Sequence, residues 1–242
     1  MALVKTLIAY AWTLIFLLGF FPLGLLAMLL SFLGLRKPMS WFVYRIGQVW
    51  ARGIIFIIGC SITVEGRENI PREGSVCFVS NHVGVFDVVL SLAYIGRPFG
   101  FIAKKELMFL PFFDVWIYIL GGLFIDRKNI RKALRTIKEG IRKIQNGGSM
   151  LIFPEGTRSK GRGLLPFRSG AIKLATNSLV PIVPIAVAGS YDVYEKDWRV
   201  HPVPVRIVFC PAIITADMNA DERRHKLANN VRSIIENALN EI

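Results

Sequence analysis

An α/β fold is predicted here, with a mixed, mainly parallel sheet and flanking helices, preceded by an apolar two-helix motif. Three observations predict it. Residues 6 to 35 carry no charge over thirty positions. From residue 63 onward, short β-rich runs alternate with helical stretches, the texture of strand–helix–strand units. Within that part, Ile130, Leu134, Ile137, Ile141 and Ile144 recur at helical spacing while Lys and Arg fill the other faces.

Taken in chain order, the uncharged run comes first. As one helix it would be about 45 Å long at 1.5 Å per residue, well beyond a ~30 Å hydrocarbon core. Pro22, flanked by Gly19 and Gly24, offers a kink or break near its middle. In the segment that follows, Arg45, Gln48 and Arg52 form one polar stripe on an otherwise apolar helix. That is the pattern of an interfacial helix, with Trp41 and Trp50 suited to headgroup level. Lys5 precedes the apolar run and Arg36-Lys37 follow it. Charge asymmetry therefore gives no clear crossing, and residues 1–60 are read as a membrane-docking helical pair sunk into one leaflet, with a single span as the alternative.

Residues 61–242 form the α/β domain. Strands are expected at 76–79, 99–103, 123–126, 150–153, 182–187 and 205–209. A helix is expected over 129–146, stopped by Gly147-Gly148. A second, about 220 to 241, starts near Asp217 to Asp221 and carries Leu227, Val231, Ile234 and Ile235. Two prolines within 179–189 (LVPIVPIAVAG) demote that run as a regular central strand, leaving an edge or entry strand.

Composition narrows the partners. Hydrophobic residues make up 53% of the chain, yet 30 Lys+Arg stand against 17 Asp+Glu, a net charge of +13. A chain both apolar and basic points to an anionic, apolar surface, and a phospholipid membrane fits best. Nucleic acid is disfavoured, because no zinc-ligand spacing or RNP-like aromatic motif is present. Cys60, Cys77 and Cys210 lie far apart beside apolar runs. They read as reduced core residues, which places the active part on the cytosolic side.

Four short stretches can carry chemistry. In SVCFVSNHVGVFD (75–87), a buried strand ends on Asn81-His82 and presents Asp87 five residues after the histidine. A carboxylate on one ring nitrogen fixes the tautomer and raises basicity, leaving the other nitrogen free to take a proton. The competing reading is a polar turn capping the next helix. GGLFIDR (121–127) ends on Asp126-Arg127, which in isolation is a solvated ion pair. It opens a basic field, since residues 126–173 hold 13 Lys+Arg against three acids. The lysines and arginines of the 129–146 helix read mainly as a solubilising face or membrane contact. In MLIFPEGTRSKG (150–161), Pro154, Glu155, Gly156 and Thr157 shape a turn at a strand's carboxyl end. Such a turn aims Arg158 and backbone N–H groups into a crevice, and arginine suits forked hydrogen bonds to phosphate. The fourth is VPIVP (180–184). Neither nucleotide-loop glycine pattern is present, and the absence of G-x-S-x-G counts against a serine hydrolase.

In this order, NHVGVFD, GGLFIDR, FPEGTRS and VPIVP resemble the four blocks of the glycerolipid acyltransferase family, N-H-x4-D, G-x-x-F-I-D-R, F-P-E-G-T-R-S and V-P-[IV]-x-P. Within it, the match is to the branch acting on 1-acyl-sn-glycerol 3-phosphate. AKKEL (103–107) resembles the segment between the first two blocks. The resemblance covers roughly residues 60 to 215.

It implies transfer of an acyl chain from acyl-CoA or acyl carrier protein to the sn-2 hydroxyl of lysophosphatidate, giving phosphatidate, at the cytoplasmic face of a membrane. His82 would be the general base and Asp87 its orienting partner. Arg158 would clamp the acceptor's phosphate, helped by Arg127 and by Lys104 or Lys105. Glu155 would bind the glycerol part or hold the loop, with Gly156 and Thr157 in the same substrate-binding turn. No metal and no cofactor are implied. Against this stand an acyltransferase using another lysolipid or glycerol 3-phosphate, a hydrolase, and a non-catalytic basic membrane-binding protein. The last leaves His82, Asp87 and the Pro-Glu-Gly-Thr-Arg turn without a purpose.

Overall fold

The computed structural model of the chain describes residues 1–109, 112–216 and 218–241. Two long helices come first, α1 (Ala2–Leu30) and α2 (Arg36–Ile58). The expected break at Pro22 does not occur: α1 runs straight through it, and the chain reverses at Ser31–Leu35 instead. Pro22 removes one amide donor from the helical ladder, whereas reversal needs the left-handed φ of +92° that Gly34 adopts. The two helices pack as an antiparallel pair. Lys5 Nζ donates to the Ile58 carbonyl at 2.6 Å, so the start of α1 lies beside the end of α2.

Within the polar stripe of α2, Arg45 and Arg52 are exposed, but Gln48 turns inward. Gln48 is buried, accepts from Arg45 and donates to the Ala93 carbonyl of the body. Trp50 sits in the seam between the helices, its indole N–H on Thr13, while Trp12 donates to the Trp50 carbonyl. Helix α2 thus joins the core through Val43, Tyr44, Ala51 and Ile58. Helix α1 contributes less: Ala9 and Ala27 enter the core and Thr6, Phe16 and Gly24 are also buried, but Leu3, Leu7, Leu14, Leu18, Leu26 and Leu29 stand exposed.

The rest is a seven-stranded sheet with helices on both faces. In chain order come β1 (Ile62–Glu65), β2 (Cys77–Ser80), α3 (Phe86–Tyr94), β3 (Gly100–Lys104), α4 (Phe113–Ile119) and β4 (Leu123–Ile125). They are followed by α5 (Ile130–Gln145), β5 (Met150–Ile152), α6 (Ser169–Thr176), β6 (Ile182–Ala188) and β7 (Val205–Phe209). The chain closes with α7 (Ala220–His225) and α8 (Leu227–Asn240). Spatial order is β1-β7-β6-β2-β5-β3-β4, parallel throughout except for β6 against β7. The predicted class is therefore the observed one.

Side-chain alternation divides the core between the two faces. Phe78, Val183, Ile185 and Val187 pack with α2 and α3, while Cys77, Val79, Ile182 and Ala186 pack with α5, α6 and α8. Strand β6, expected at an edge, is interior and pairs Pro184 with Val79 of β2. The sheet tolerates Pro184 because this residue faces the β7 side where that ladder has already ended. Its carbonyl still accepts from Cys210 N, one residue beyond the paired register, so the missing amide falls at the ladder's end. The single C-terminal helix expected over 220–241 is two pieces, α7 opening on an Asn219–Glu222 capping box. Asp217, expected at its start, lies outside the described residues. With β2 central and parallel to β5 and β6, the carboxyl ends of these three strands share one edge of the sheet.

Candidate active site

In an α/β sheet, ligands bind beyond the carboxyl ends of the strands. Here β2, β5 and β6 each release a loop at that edge. His82 leaves β2 two residues past its end, and Asp87 lies in the first turn of α3. Asn81 joins β2 to β6 through both groups of its side-chain amide, donating to the Val187 carbonyl and accepting from the Val187 N–H, each at 2.8 Å.

The histidine and aspartate meet. His82 Nδ1 lies 2.7 Å from Asp87 Oδ2, and Asp87 is completely buried. A carboxylate accepts and does not donate, so Nδ1 carries the proton and Nε2 is left with its lone pair. Phe153, at the end of β5, stacks on the imidazole with ring centroids 4.0 Å apart and fixes its plane. The same Oδ2 accepts from the N–H groups of Val83 (2.7 Å) and Gly84 (3.0 Å), and Oδ1 accepts from the Ser190 hydroxyl beyond β6.

Two further carboxylates complete the loop. The His82 N–H donates to Glu155 Oε1 at 2.7 Å, and the Val85 N–H donates to Glu195 Oε2. Four consecutive amides, His82 to Val85, thus end on Glu155, Asp87 and Glu195, all buried. The other Glu155 oxygen accepts from Leu165 N at 3.0 Å. Of the two tasks considered for Glu155, these contacts match holding the loop. Burial pushes its carboxyl above the usual carboxylate range, opposed by the two amides that favour the charged form.

The turn after β5 runs alongside this loop, with Ser159 N on the His82 carbonyl (2.7 Å) and Lys160 N on the Val83 carbonyl (3.1 Å). Gly156 takes φ +67°, and a Cβ there would lie 2.7 Å from Cδ of Arg168. Thr157 is exposed beside it. Arg158 reaches Glu195 Oε1 through Nη1 and keeps the rest of a half-exposed guanidinium free. Arg127 lies near Arg168 and Arg158: burial first, then these two cations, hold its pKa below the usual arginine range, with Glu106 acting in the opposite sense. Asp126 pairs with Lys105 at 2.9 Å rather than with Arg127. Lys104 is exposed and pairs loosely with Glu106 at 3.4 Å.

The structure therefore brings His82, Asp87, Glu155, Gly156, Thr157 and Arg158 to one place, with Arg127 adjoining. Lys104 and Lys105 stand at the end of β3, farther along the same edge. Ser190, Glu195, Phe153 and Arg168 complete the site and were not expected from the sequence. Ser190 and Glu195 are about a hundred residues from the loop they brace. The only signal toward them was that VPIVP leads into the segment bearing both.

Comparison with known proteins shows the family. A family model described as Acyltransferase matches residues 61–188. The 1-acyl-sn-glycerol-3-phosphate acyltransferase of Escherichia coli is 35% identical over 184 residues, 75% of this chain and 74% of that one. A coconut (Cocos nucifera) protein of the same name is 34% identical over 181 residues, and the match spans 74% of this chain but only 58% of the coconut protein. The crystal structure of the 1-acyl-sn-glycerophosphate (LPA) acyltransferase from Thermotoga maritima superposes with a TM-score of 0.84 at 26% identity, over 99% of this chain and 95% of that one. A match over more than half the chain, in sequence and in fold, leaves one conclusion: this protein belongs to the acyltransferase family.

Proposed function

We propose that the protein transfers an acyl chain from the thioester of acyl-CoA or acyl carrier protein to the sn-2 hydroxyl of 1-acyl-sn-glycerol 3-phosphate. The observation that supports this reading best is a tautomer-fixed histidine placed beside a half-exposed arginine. One group suits proton removal from an alcohol, the other suits a phosphate on the same molecule. The names of the Escherichia coli and Thermotoga maritima proteins point to the same acceptor.

In this mechanism His82 Nε2 takes the proton of the glycerol hydroxyl while its oxygen attacks the thioester carbonyl. Asp87 holds the ring and stabilises the imidazolium that forms. Collapse of the tetrahedral intermediate breaks the C–S bond, and the imidazolium returns its proton to the departing thiolate. Thiolate is a good leaving group, so the chemistry asks for a base and an oriented acceptor and for no cofactor. Arg158 binds the phosphate, and Arg127 with Lys104 or Lys105 adds to the positive field. Glu155 shapes the loop, with Gly156 and Thr157 in the substrate-binding turn.

The bare apolar face of α1 supports a membrane location. The Lys5–Ile58 contact brings both ends of the helical pair together, and α2 is tied to the body through Gln48. A pair lying in one leaflet on the cytoplasmic side satisfies these contacts, with lysophospholipid reached from the bilayer and thioester from water.

Four measurements test these assignments. Purified protein given a labelled acyl thioester should form product only when lysophosphatidate is present; free fatty acid instead would mean a hydrolase. His82→Ala should lower kcat by roughly 10²–10⁴-fold, and Asp87→Asn by orders of magnitude through a wrong tautomer. A His82→Ala enzyme retaining more than about a tenth of the activity lies outside that range and contradicts the role. Arg158→Ala should cost roughly tenfold to 150-fold in kcat/KM with phosphorylated acceptors only, with partial recovery in Arg158→Lys. Equal losses on unphosphorylated acceptors would make Arg158 merely structural. For topology, Ala2→Cys and Lys160→Cys, each in a chain without other cysteines, should react with an impermeant thiol reagent from the same face of sealed vesicles. Reaction from opposite faces would mean that α1 spans the bilayer.

A further inference from the structure

We infer that Glu195 is a positioning residue that aims Arg158 at the acceptor's phosphate while holding the His82–Asp87 loop shut. The inference rests on the proposed acyl transfer to a phosphate-bearing acceptor. Glu195 lies in the segment after β6, its side chain only 3% exposed. One oxygen binds Arg158 Nη1 and the other accepts from Val85 N. A single buried carboxylate therefore joins the cation expected to meet phosphate and the backbone between the proposed base and its aspartate. Gly84 permits this, since a Cβ there would come within 2.9 Å of Glu195 Oε2.

An arginine has five N–H donors in a rigid fork. With Nη1 fixed by Glu195, the outward edge of the guanidinium points in one direction before acceptor arrives. Preorganisation of this kind improves binding and orientation by removing freedom in advance. The segment bearing Glu195 is itself braced. Tyr194 hydrogen-bonds Tyr10 of α1 through their hydroxyls, and Val200 N donates to Thr6 Oγ1 at 3.0 Å. Glu195 also differs from a salt bridge of the surface kind: its partner is half-exposed, but it is not, and a second donor depends on it.

The test compares wild type, Glu195→Gln, Glu195→Ala, Arg158→Ala and the double variant Glu195→Ala/Arg158→Ala. The probes are lysophosphatidate and its unphosphorylated counterpart, a monoacylglycerol, with one acyl thioester. Glu195→Gln keeps an oxygen for Val85 N but turns an NH2 toward Arg158. Its preference for the phosphorylated acceptor, read as the ratio of kcat/KM on the two acceptors, should fall roughly tenfold. Glu195→Ala should lose that preference and kcat together, because the loop amide is also left bare. In the double variant the loss of phosphate preference should be no greater than in Arg158→Ala alone, the mark of one residue acting through another. If Glu195→Ala does not fold, Glu195→Gln still decides. An unchanged phosphate preference in Glu195→Gln, or losses that multiply in the double variant, would overturn the inference. A wild type that transfers equally to both acceptors would instead sink the phosphate reading itself.

Discussion

Four consecutive backbone N–H groups, from His82 to Val85, have nowhere regular to go. The chain has left β2 and has not yet entered α3, so neither ladder receives them. Buried amides must be paired, and here they are paired by Glu155, Asp87 and Glu195. The rest of the site depends on this arrangement. Each carboxylate comes from a different part of the sheet edge, so the loop takes its shape only when β2, β5 and β6 lie side by side. Placing three carboxylates so close together is costly in a dry environment unless donors surround them. Asp87 meets that demand with two amides, the Ser190 hydroxyl and the His82 ring, and Glu195 meets it with an amide and Arg158.

In the proposed mechanism, catalysis and substrate selection are therefore not separate layers. Asp87 accepts from the loop amides with the same oxygen that holds the imidazole. Glu195 touches the loop on one side and Arg158 on the other. The turn after β5 contributes Arg158 and also pairs its backbone with His82 and Val83. Beyond it, residues 126–173 hold 13 Lys+Arg against three acids, a field that in the proposed function would attract an anionic acceptor. Helix α1 reaches this assembly only at its start, through Thr6 and Tyr10. Its outward face is apolar and bare.

The readable parts of the sequence were those whose cause is local. Helix α5 announces itself by isoleucines at helical spacing, and β2 and β5 by short apolar runs ending in turn residues. His82 and Asp87 were legible because their spacing spans one turn, and Arg158 because Pro154 and Gly156 fix the turn that presents it. Strand β6 was misplaced because a proline normally breaks a ladder, and whether a neighbour demands its N–H at Pro184 depends on where β7 stops. The break expected at Pro22 fell at Gly34 for a similar reason: the path of α1 is set by its packing against α2 and α4. Gln48 and Trp50 looked suited to an interface and instead serve the helix seam and the body. Glu195 was invisible, one acid among several in YDVYEKDW, because its partners are brought to it only by the sheet. Ser190 shares that history.

The central claim is that Asp87 holds His82 as the Nδ1–H tautomer, so that Nε2 can accept a proton from an alcohol. Nitrogen-15 NMR of the detergent-solubilised protein, labelled at its three histidines and assigned with His82→Ala, reads that tautomer directly. The expected result is a protonated Nδ1 and an unprotonated Nε2 for His82 in the neutral ring, with the preference weakened or reversed in Asp87→Asn. A neutral His82 protonated at Nε2 in the wild-type protein would contradict it.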